Sequence, residues 1–251
     1  MKIIKYKKGS KGIYKVELSN GIVLALYEDT ILKFNLLLSK EILEKDLDKI
    51  KLYDLECEVY YVALESIKAR FKSEFELKKL LERKEYPDEY INKALQRLKK
   101  EGYLNDREFA RSYINNQMIT TNHGPNRIER DLFDKKIDSN IISDELVLFT
   151  EGEQVNRINK LITKKINSNH NKGGNVLKQK IANDLNLLGY DSFIVNRILN
   201  NYDFSIDYEL AEREYNKLYK KLSKKYSGKE LELRIKQGLY LKGLKYEKRE
   251  K

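Results

Sequence analysis

The stretch EGYLNDREFARSYI, residues 101–114, joins the end of one helical pattern to the start of the next. Leu98 ends an apolar series at helical spacing, and Gly102 supplies the left-handed residue that commonly closes a helix. Asn105 is a favoured N-cap residue, and Glu108 stands three residues later, in the capping-box position. The stretch therefore predicts two helices separated by a very short joint.

The residues around this joint fit the same interpretation. Lys99 and Lys100 place positive charge on the last turn of the first helix, where the helix dipole favours cations. Tyr103 and Leu104 are apolar, and we expect both to turn inward as a wedge between the helices.

This arrangement recurs along the chain. An apolar residue closes the second helix of each group, at intervals of 51, 53 and 54 residues, and these residues are Tyr86, Ile137, Tyr190 and Leu244. Two core positions keep the same offsets, namely Leu77, Ile128, Ile181 and Ile235 in one and Leu81, Leu132, Leu185 and Leu239 in the other. Units of about fifty residues are too small to bury a sufficient core alone, so neighbouring units should stack. The sequence predicts a mainly α fold of tandem three-helix repeats in an elongated, curved array.

The N-terminal part follows a different pattern. Asn20-Gly21 separates two short alternating runs, which is a strong signal for a β-hairpin. Ser39 is expected to cap a short helix that runs through about Ile50. The predicted domains are an N-terminal module, three three-helix repeats and a basic partial fourth repeat, at residues 1–56, 57–104, 105–150, 151–204 and 205–251.

Composition narrows the functional classes. The chain has 251 residues, of which 41% are apolar and 35% charged, with only two prolines, so it is not of the disordered type. We expect no transmembrane helix, since no apolar run is long enough, and no internal disulfide, since Cys57 is the only cysteine. A cytoplasmic location is expected.

The net charge is +11, and residues 205–251 carry +6 of it. This balance favours a polyanionic partner such as nucleic acid, although a lysine-rich, soluble surface would also account for it.

The stretch SEFELKKLLERKEYPDEYINKALQRLKKEGYLNDREFARSYI, residues 73–114, followed by GPNRIERDLFDKKI, residues 124–137, resembles the RecX family, which regulates the recombinase RecA. The most distinctive signals are the LKKEGYLNDREFA joint and the Gly-Pro-x-x-Ile start of the next repeat. The N-terminal module and the partial fourth repeat are similar to the longer form found in low-GC Gram-positive bacteria. The match is less close in the third and fourth repeats, where it rests mainly on periodicity.

The resemblance implies a regulator that acts by binding. Proteins of this family bind the RecA filament on single-stranded DNA, lying along its helical groove. They limit filament growth or promote disassembly, and they suppress strand exchange and ATP hydrolysis. Many also bind single- or double-stranded DNA directly. By this resemblance we expect no enzymatic activity, no cofactor and a monomer.

Candidate DNA contacts lie in KLYKKLSKKYSGK, residues 217–229. Five lysines are expected near one another on a helix, with Tyr219 and Tyr226 between them; these are Lys217, Lys220, Lys221, Lys224 and Lys225. Lysines can neutralise phosphates, and tyrosines can stack on unpaired bases. An ordinary solvated helix face with its tyrosines in the core fits the same pattern.

A second candidate contact lies beside the predicted helix start at Gly124-Pro125. Arg127 and Arg130 could meet phosphate or an acidic surface of RecA, because helix N-termini favour anions. The alternative is an intrahelical ion pair between Arg127 and Asp131.

Catalytic patterns are not evident. His123 and His170 lie in loop-like contexts without metal-ligand spacing, and Cys57 is expected to be a packed helix residue. No motif supports a two-metal nuclease. Besides a RecA modulator, the sequence leaves open a DNA-binding regulator that uses helix-turn-helix-like units independently of RecA, and a structural scaffold.

Overall fold

The computed structural model describes residues 1–246. Its N-terminal part is a three-stranded antiparallel sheet in the order β1-β2-β3, formed by Ile3–Lys8, Ile13–Leu18 and Val23–Tyr27. Two short helices follow, α1 (Glu28–Lys33) and α2 (Leu36–Ser39), and a 3-10 turn covers Glu44–Asp46. The remaining described helices are α3 (Leu47–Ala69), α4 (Glu74–Glu82), α5 (Asp88–Lys100), α6 (Asp106–Thr120), α7 (Pro125–Asp134), α8 (Ser139–Leu146), α9 (Glu151–Asn167), α10 (Gly174–Leu187), α11 (Ser192–Leu199), α12 (Tyr208–Leu222) and α13 (Gly228–Tyr240). The prediction of a mainly α chain with a small β-containing module is confirmed.

The predicted hairpin is present as β2 and β3. Gly21 has a φ of 82°, and the amide of Leu18 donates to the carbonyl of Ile22 at 2.8 Å, which closes the turn. Sequence reasoning missed β1, which pairs along the free side of β2. This strand carries exposed lysines as edge strands often do, and their charge hid its alternation.

The predicted helix from Ser39 through Ile50 is wrong. Ser39 ends α2, and Lys40 adopts the left-handed conformation with a φ of 52°. The following helix, α3, begins at Leu47 and continues without a break across residues 56 and 57, the predicted boundary between the N-terminal module and the first repeat. The N-terminal module and the first group of helices therefore share a helix.

The joint at residues 101–104 has the predicted geometry, with one difference. Gly102 has a φ of 79°, and the Asn105 side chain accepts hydrogen bonds from the amides of Arg107 and Glu108. Leu104 is buried as expected, but Tyr103 is 49% exposed and does not form part of the wedge. One apolar side chain is enough to close this corner.

A hydrogen bond to a backbone carbonyl recurs between the start of one group's second helix and the end of the next group's second helix. The Ser73 hydroxyl donates to the Lys135 carbonyl at 3.2 Å. The amide of Gly124 donates to the Leu188 carbonyl at 2.7 Å, and that of Gly173 to the Lys242 carbonyl at 2.9 Å. The three donors and three acceptors recur at about the same fifty-residue interval as the sequence pattern. Residues at equivalent positions of successive groups are thus joined by a hydrogen bond.

Residue contacts divide the chain into two compact units. One consists of Met1–Ala110 with Asp134–Ile141, and the other of Arg111–Phe133 with the chain from Ile142 onward. In the first unit, α3, α4 and α5 pack into one core, and the sheet forms another with α1 and the start of α3. The division into repeats at the boundaries given above, and the curvature of the array, stay predictions.

Across residues 1–246, no helix is both long and apolar enough to cross a membrane.

Candidate nucleic-acid interface

Helices α12 and α13 form a hairpin at the end of the described chain. Leu210 and Ala211 of α12 pack on Leu231, Ile235 and Leu239 of α13 in a buried core. The two helices approach closely where α13 has a glycine, because a Cβ atom on Gly238 would lie 2.9 Å from the side chain of Leu218. The hairpin positions the basic stretch that the sequence singled out.

Lys217 forms an ion pair within this hairpin. Its ammonium lies 2.7 Å from a carboxylate oxygen of Glu214, and Lys242 lies 2.5 Å from the other oxygen. Glu214 is only 2% exposed; burial opposes its ionisation, but hydrogen bonds from both lysines outweigh that effect and lower its pKa. Lys217 therefore has a structural partner, although its side chain is 64% exposed and keeps donors for a phosphate.

The other four predicted lysines do not all lie on one helix. Lys220 and Lys221 occupy the last turn of α12, whereas Lys224 and Lys225 lie in the turn before α13. All four are exposed, and none has a carboxylate partner among the residues that the structure describes. They lie at and just beyond the C-terminus of α12, and we call them the α12 lysine cluster. Exposed lysines can bind phosphates.

The two interleaved tyrosines differ in their surroundings. Tyr219 is 48% exposed, and its ring stacks on that of Tyr215 at a centroid distance of 6.2 Å. Tyr226 packs against the hairpin core, with the Arg234 guanidinium 5.0 Å from its ring centre. Tyr219 is thus placed to accept a base on its ring, and Tyr226 fits the core alternative. On α12, however, Lys217, Lys220 and Lys221 lie one or two residues from Tyr219, and side chains at those spacings do not share a helix face.

Sequence reasoning missed the aromatic row to which Tyr219 belongs. Tyr215 contacts Tyr246 at 4.9 Å between ring centroids, and Tyr246 contacts Tyr208 at 5.3 Å. The spacing of Tyr215 and Tyr219, four residues apart on one helix, could have revealed their pairing. Tyr246 is far along the chain, so only the folded hairpin brings it into the row.

Arg127 and Arg130 lie on α7. Arg127 forms the intrahelical ion pair with Asp131, at 3.2 Å. The first turn of α7 is not open to an anion as proposed, because the amides of Gly124 and Asn126 donate to the carbonyls of Leu188 and Gly189. Arg130 is exposed on the helix surface. A partner contact at either arginine stays a prediction, and it would have to use the side chains alone.

Cys57 and His123 are of residue types that can support catalysis, but their surroundings in the structure do not suit it. Cys57 is buried beside Thr30, and burial raises the pKa of its thiol to about 11, so it is a poor nucleophile at neutral pH. The imidazole Nδ1 of His123 lies 3.1 Å from the Gln117 side-chain oxygen. Among residues 1–246, no group of three or more His, Cys, Asp or Glu side chains is arranged to hold a metal ion.

Comparison with known proteins gives a consistent result. The model for the first three-helix domain of RecX matches residues 60–98, and the model for the second matches residues 105–146. A regulatory protein RecX of Streptococcus agalactiae serotype III is 31% identical over 98% of this chain and 96% of its own length. A regulatory protein RecX of Oceanobacillus iheyensis is 27% identical over 88% of this chain and 82% of its own length.

Solved structures show the same relationship. A crystal structure of a regulatory protein RecX superposes with a TM-score of 0.69 at 26% identity, covering 80% of this chain and 99% of that one. A structure of RecX from Lactobacillus salivarius gives a TM-score of 0.56 at 27% identity, covering 59% and 96%.

Proposed function

The chain belongs to the RecX family, and we propose from that premise that it regulates the RecA recombinase filament. In this proposal it binds the filament assembled on single-stranded DNA and inhibits ATP hydrolysis and strand exchange. The supporting observation is the relationship to the Streptococcus agalactiae regulatory protein RecX, which extends over 98% of the chain. The action requires binding only, with no bond made or broken, and we place it in the cytoplasm with the protein acting as a monomer.

The repeated joints support binding to a filament. A filament presents the same surface at regular intervals along its length. Similar three-helix groups, each with a hydrogen bond from an equivalent position at Ser73, Gly124 or Gly173, offer similar surfaces. Such a chain can make the same kind of contact more than once, and contacts on one chain reinforce each other through effective concentration.

We further propose that the α12 lysine cluster contacts DNA, with Tyr219 stacking on an unpaired base. Four exposed ammonium groups without carboxylate partners in the described chain provide the electrostatic part of such a contact. The half-exposed ring of Tyr219 provides the aromatic part. This contact would hold the protein beside the DNA strand on which the filament assembles.

The test is RecA-dependent ATP hydrolysis on single-stranded DNA, with the cognate RecA and DNA in excess. We expect inhibition well below one molecule of this protein per RecA, because a bound regulator acts on many filament subunits. Simple competition for DNA cannot act at that ratio.

No effect at any ratio would contradict the proposal. A DNA-binding regulator that works independently of RecA would then be favoured if the protein bound a specific duplex sequence with RecA absent. Binding to neither RecA nor DNA would favour the scaffold alternative.

A further inference from the structure

A groove of about 760 Å³ lies in the first unit, between the β1–β2 turn and helices α3 and α4. Its floor is apolar, formed by Ile13, Tyr27, Tyr61, Val62 and Leu80. Its volume falls in the range of ordinary ligand pockets, so it can accept one or two large side chains. No residue that we assign to DNA binding contributes to it.

Three lysines from separate segments surround this floor: Lys11 from the β1–β2 turn, Lys68 from α3 and Lys84 from the turn after α4. Lys68 lies 3.1 Å from Glu65, and both side chains are largely exposed. Lys11 and Lys84 have no carboxylate partner within residues 1–246. Glu65 also lines the groove but pairs with Lys68, so the rim keeps the positive charge of Lys11 and Lys84 over an apolar floor, which is complementary to an acidic ligand with an apolar anchor.

Lys11 lies in a tight turn with an uncommon backbone conformation. Lys11 and Gly12 both have positive φ, at 56° and 74°, and the amide of Ile13 donates to the Ser10 carbonyl at 3.1 Å. This is the turn type in which asparagine, aspartate or glycine is favoured at the first central position. A lysine there adopts a conformation that is uncommon for residues other than glycine. Asn35, Lys40, Glu85 and Lys136 also have positive φ, so this conformation does not by itself mark a functional site.

The aromatic residues favour a peptide over nucleic acid as the occupant. The Tyr27 and Tyr61 rings stack on each other at 4.9 Å and 7°, and Tyr60 meets the Tyr61 ring edge to face at 5.1 Å. Tyr27 is only 8% exposed, and the Tyr61 hydroxyl donates to Asp29. Tyr27 and Tyr61 therefore each cover one face of the other, and Tyr27 is nearly buried, which leaves little ring surface on which a base could stack.

We propose that this groove, which we call the β-turn groove, is a docking site for an acidic segment of a partner protein. The segment inserts an aliphatic or aromatic side chain onto the floor at Val62 and Leu80, and its flanking carboxylates pair with Lys11 and Lys84. The ion pairs give orientation, and the buried apolar anchor gives most of the affinity.

The test uses the full chain and a fluorescein-labelled peptide with a central Leu-Phe pair and three acidic residues on each side. Binding is measured by fluorescence anisotropy. We expect saturable binding that a double variant, Lys11→Asn with Lys84→Gln, weakens about five- to tenfold, as loss of two exposed ion pairs implies. Asparagine suits the positive φ at position 11, so this variant should fold at least as well. The matched control, Lys5→Gln with Lys15→Gln, removes two exposed charges of the sheet outside the groove and should leave affinity unchanged.

Two further probes separate this proposal from its rivals. A peptide with Ser-Ser in place of Leu-Phe should bind much more weakly, whereas equal binding would mean that charge alone attracts it and would overturn the docking site. Oligo(dT) should not displace the labelled peptide; displacement that the Lys11→Asn and Lys84→Gln changes abolish would instead make the groove a nucleic-acid site. Absence of peptide binding at millimolar concentration, or equal loss in the control variant, would also overturn the proposal.

Discussion

The contact between α7 and the end of α10 can be tested with one added methyl group. Gly189 has a φ of 90°, and a Cβ atom built there would lie 2.4 Å from the Arg127 amide nitrogen and 2.5 Å from the Arg127 Cβ. Real Cβ atoms do not come so close to other atoms, so Gly189→Ala must push the start of α7 away. Gly228 is the matched control in the same unit, because it also has a positive φ, 56°, but a Cβ there would meet nothing within 4 Å.

The two substitutions should differ clearly in how far they lower the free energy of unfolding. Gly228→Ala should lower the free energy of unfolding by about 1–2 kcal/mol, the cost of a left-handed alanine. Gly189→Ala carries that cost and about 1–3 kcal/mol more for overpacking. Moving α7 also weakens the bonds from Gly124 and Asn126 to the carbonyls of Leu188 and Gly189, and a buried amide left unpaired costs about 1–3 kcal/mol. The total expected for Gly189→Ala is about 3–8 kcal/mol.

Amide hydrogen exchange under native conditions is the suitable assay, because the chain has two compact units and a single unfolding transition cannot be assumed. The amides of Ile128 and Leu185 report on α7 and α10. We expect their protection to fall far more in Gly189→Ala than in Gly228→Ala, with urea unfolding followed by circular dichroism as a second measurement. Equal losses in the two variants would refute the close-contact reasoning and leave only the backbone conformation as a cause.

Three further outcomes are expected. Replacing Lys220, Lys221, Lys224 and Lys225 by glutamate reverses the charge of the α12 lysine cluster. This variant should bind single-stranded DNA more weakly without unfolding. Unchanged DNA affinity at low salt, measured by fluorescence anisotropy, would contradict the assignment. Glu214→Gln should destabilise the second unit. Because the pKa of Glu214 is lowered in the folded state, the loss of stability should be complete above the ordinary glutamate pKa. It should shrink as the pH falls through the lowered pKa of the folded state. Thermal unfolding from pH 7 to pH 3 would show this convergence, and a constant difference would speak against the ion pairs. Arg97→Lys should lower stability by about 1 kcal/mol in urea unfolding, because the Arg97 guanidinium lies 3.8 Å from the Tyr60 ring centre and bonds both Glu101 and Asp29; an unchanged midpoint would show that lysine replaces these contacts.

Much of the helical architecture follows from short-range sequence signals. The capping box at Ser73 and Glu76, the left-handed Gly102 and the Asn105 cap each involve residues within four positions of one another. Such patterns are visible in the chain because helix periodicity and capping are local effects. The hairpin at Gly21 belongs to the same class.

The candidate sites were less predictable for the opposite reason. The lysines of residues 217–225 are visible in the sequence as a charged stretch. The sequence does not show that Lys217 pairs with a buried carboxylate or that Tyr226 packs in the core. The first turn of α7 has the sequence of an anion site, yet the end of α10 occupies its amides. Both outcomes depend on packing between distant segments.

The sequence by itself determined that this chain is a series of helical groups of about fifty residues, because each helix start, stop and apolar face is set by neighbours a few positions away. The tertiary structure alone decided which polar groups remain open to a partner. Glu214 forms an ion pair with Lys242, 28 residues further along the chain, and the Gly124 amide donates to the Leu188 carbonyl, 64 residues further along. Lys11 and Lys84 lie on the same rim of the β-turn groove. Those contacts depend on how the helices pack, and packing is a property of the whole core that no local pattern contains.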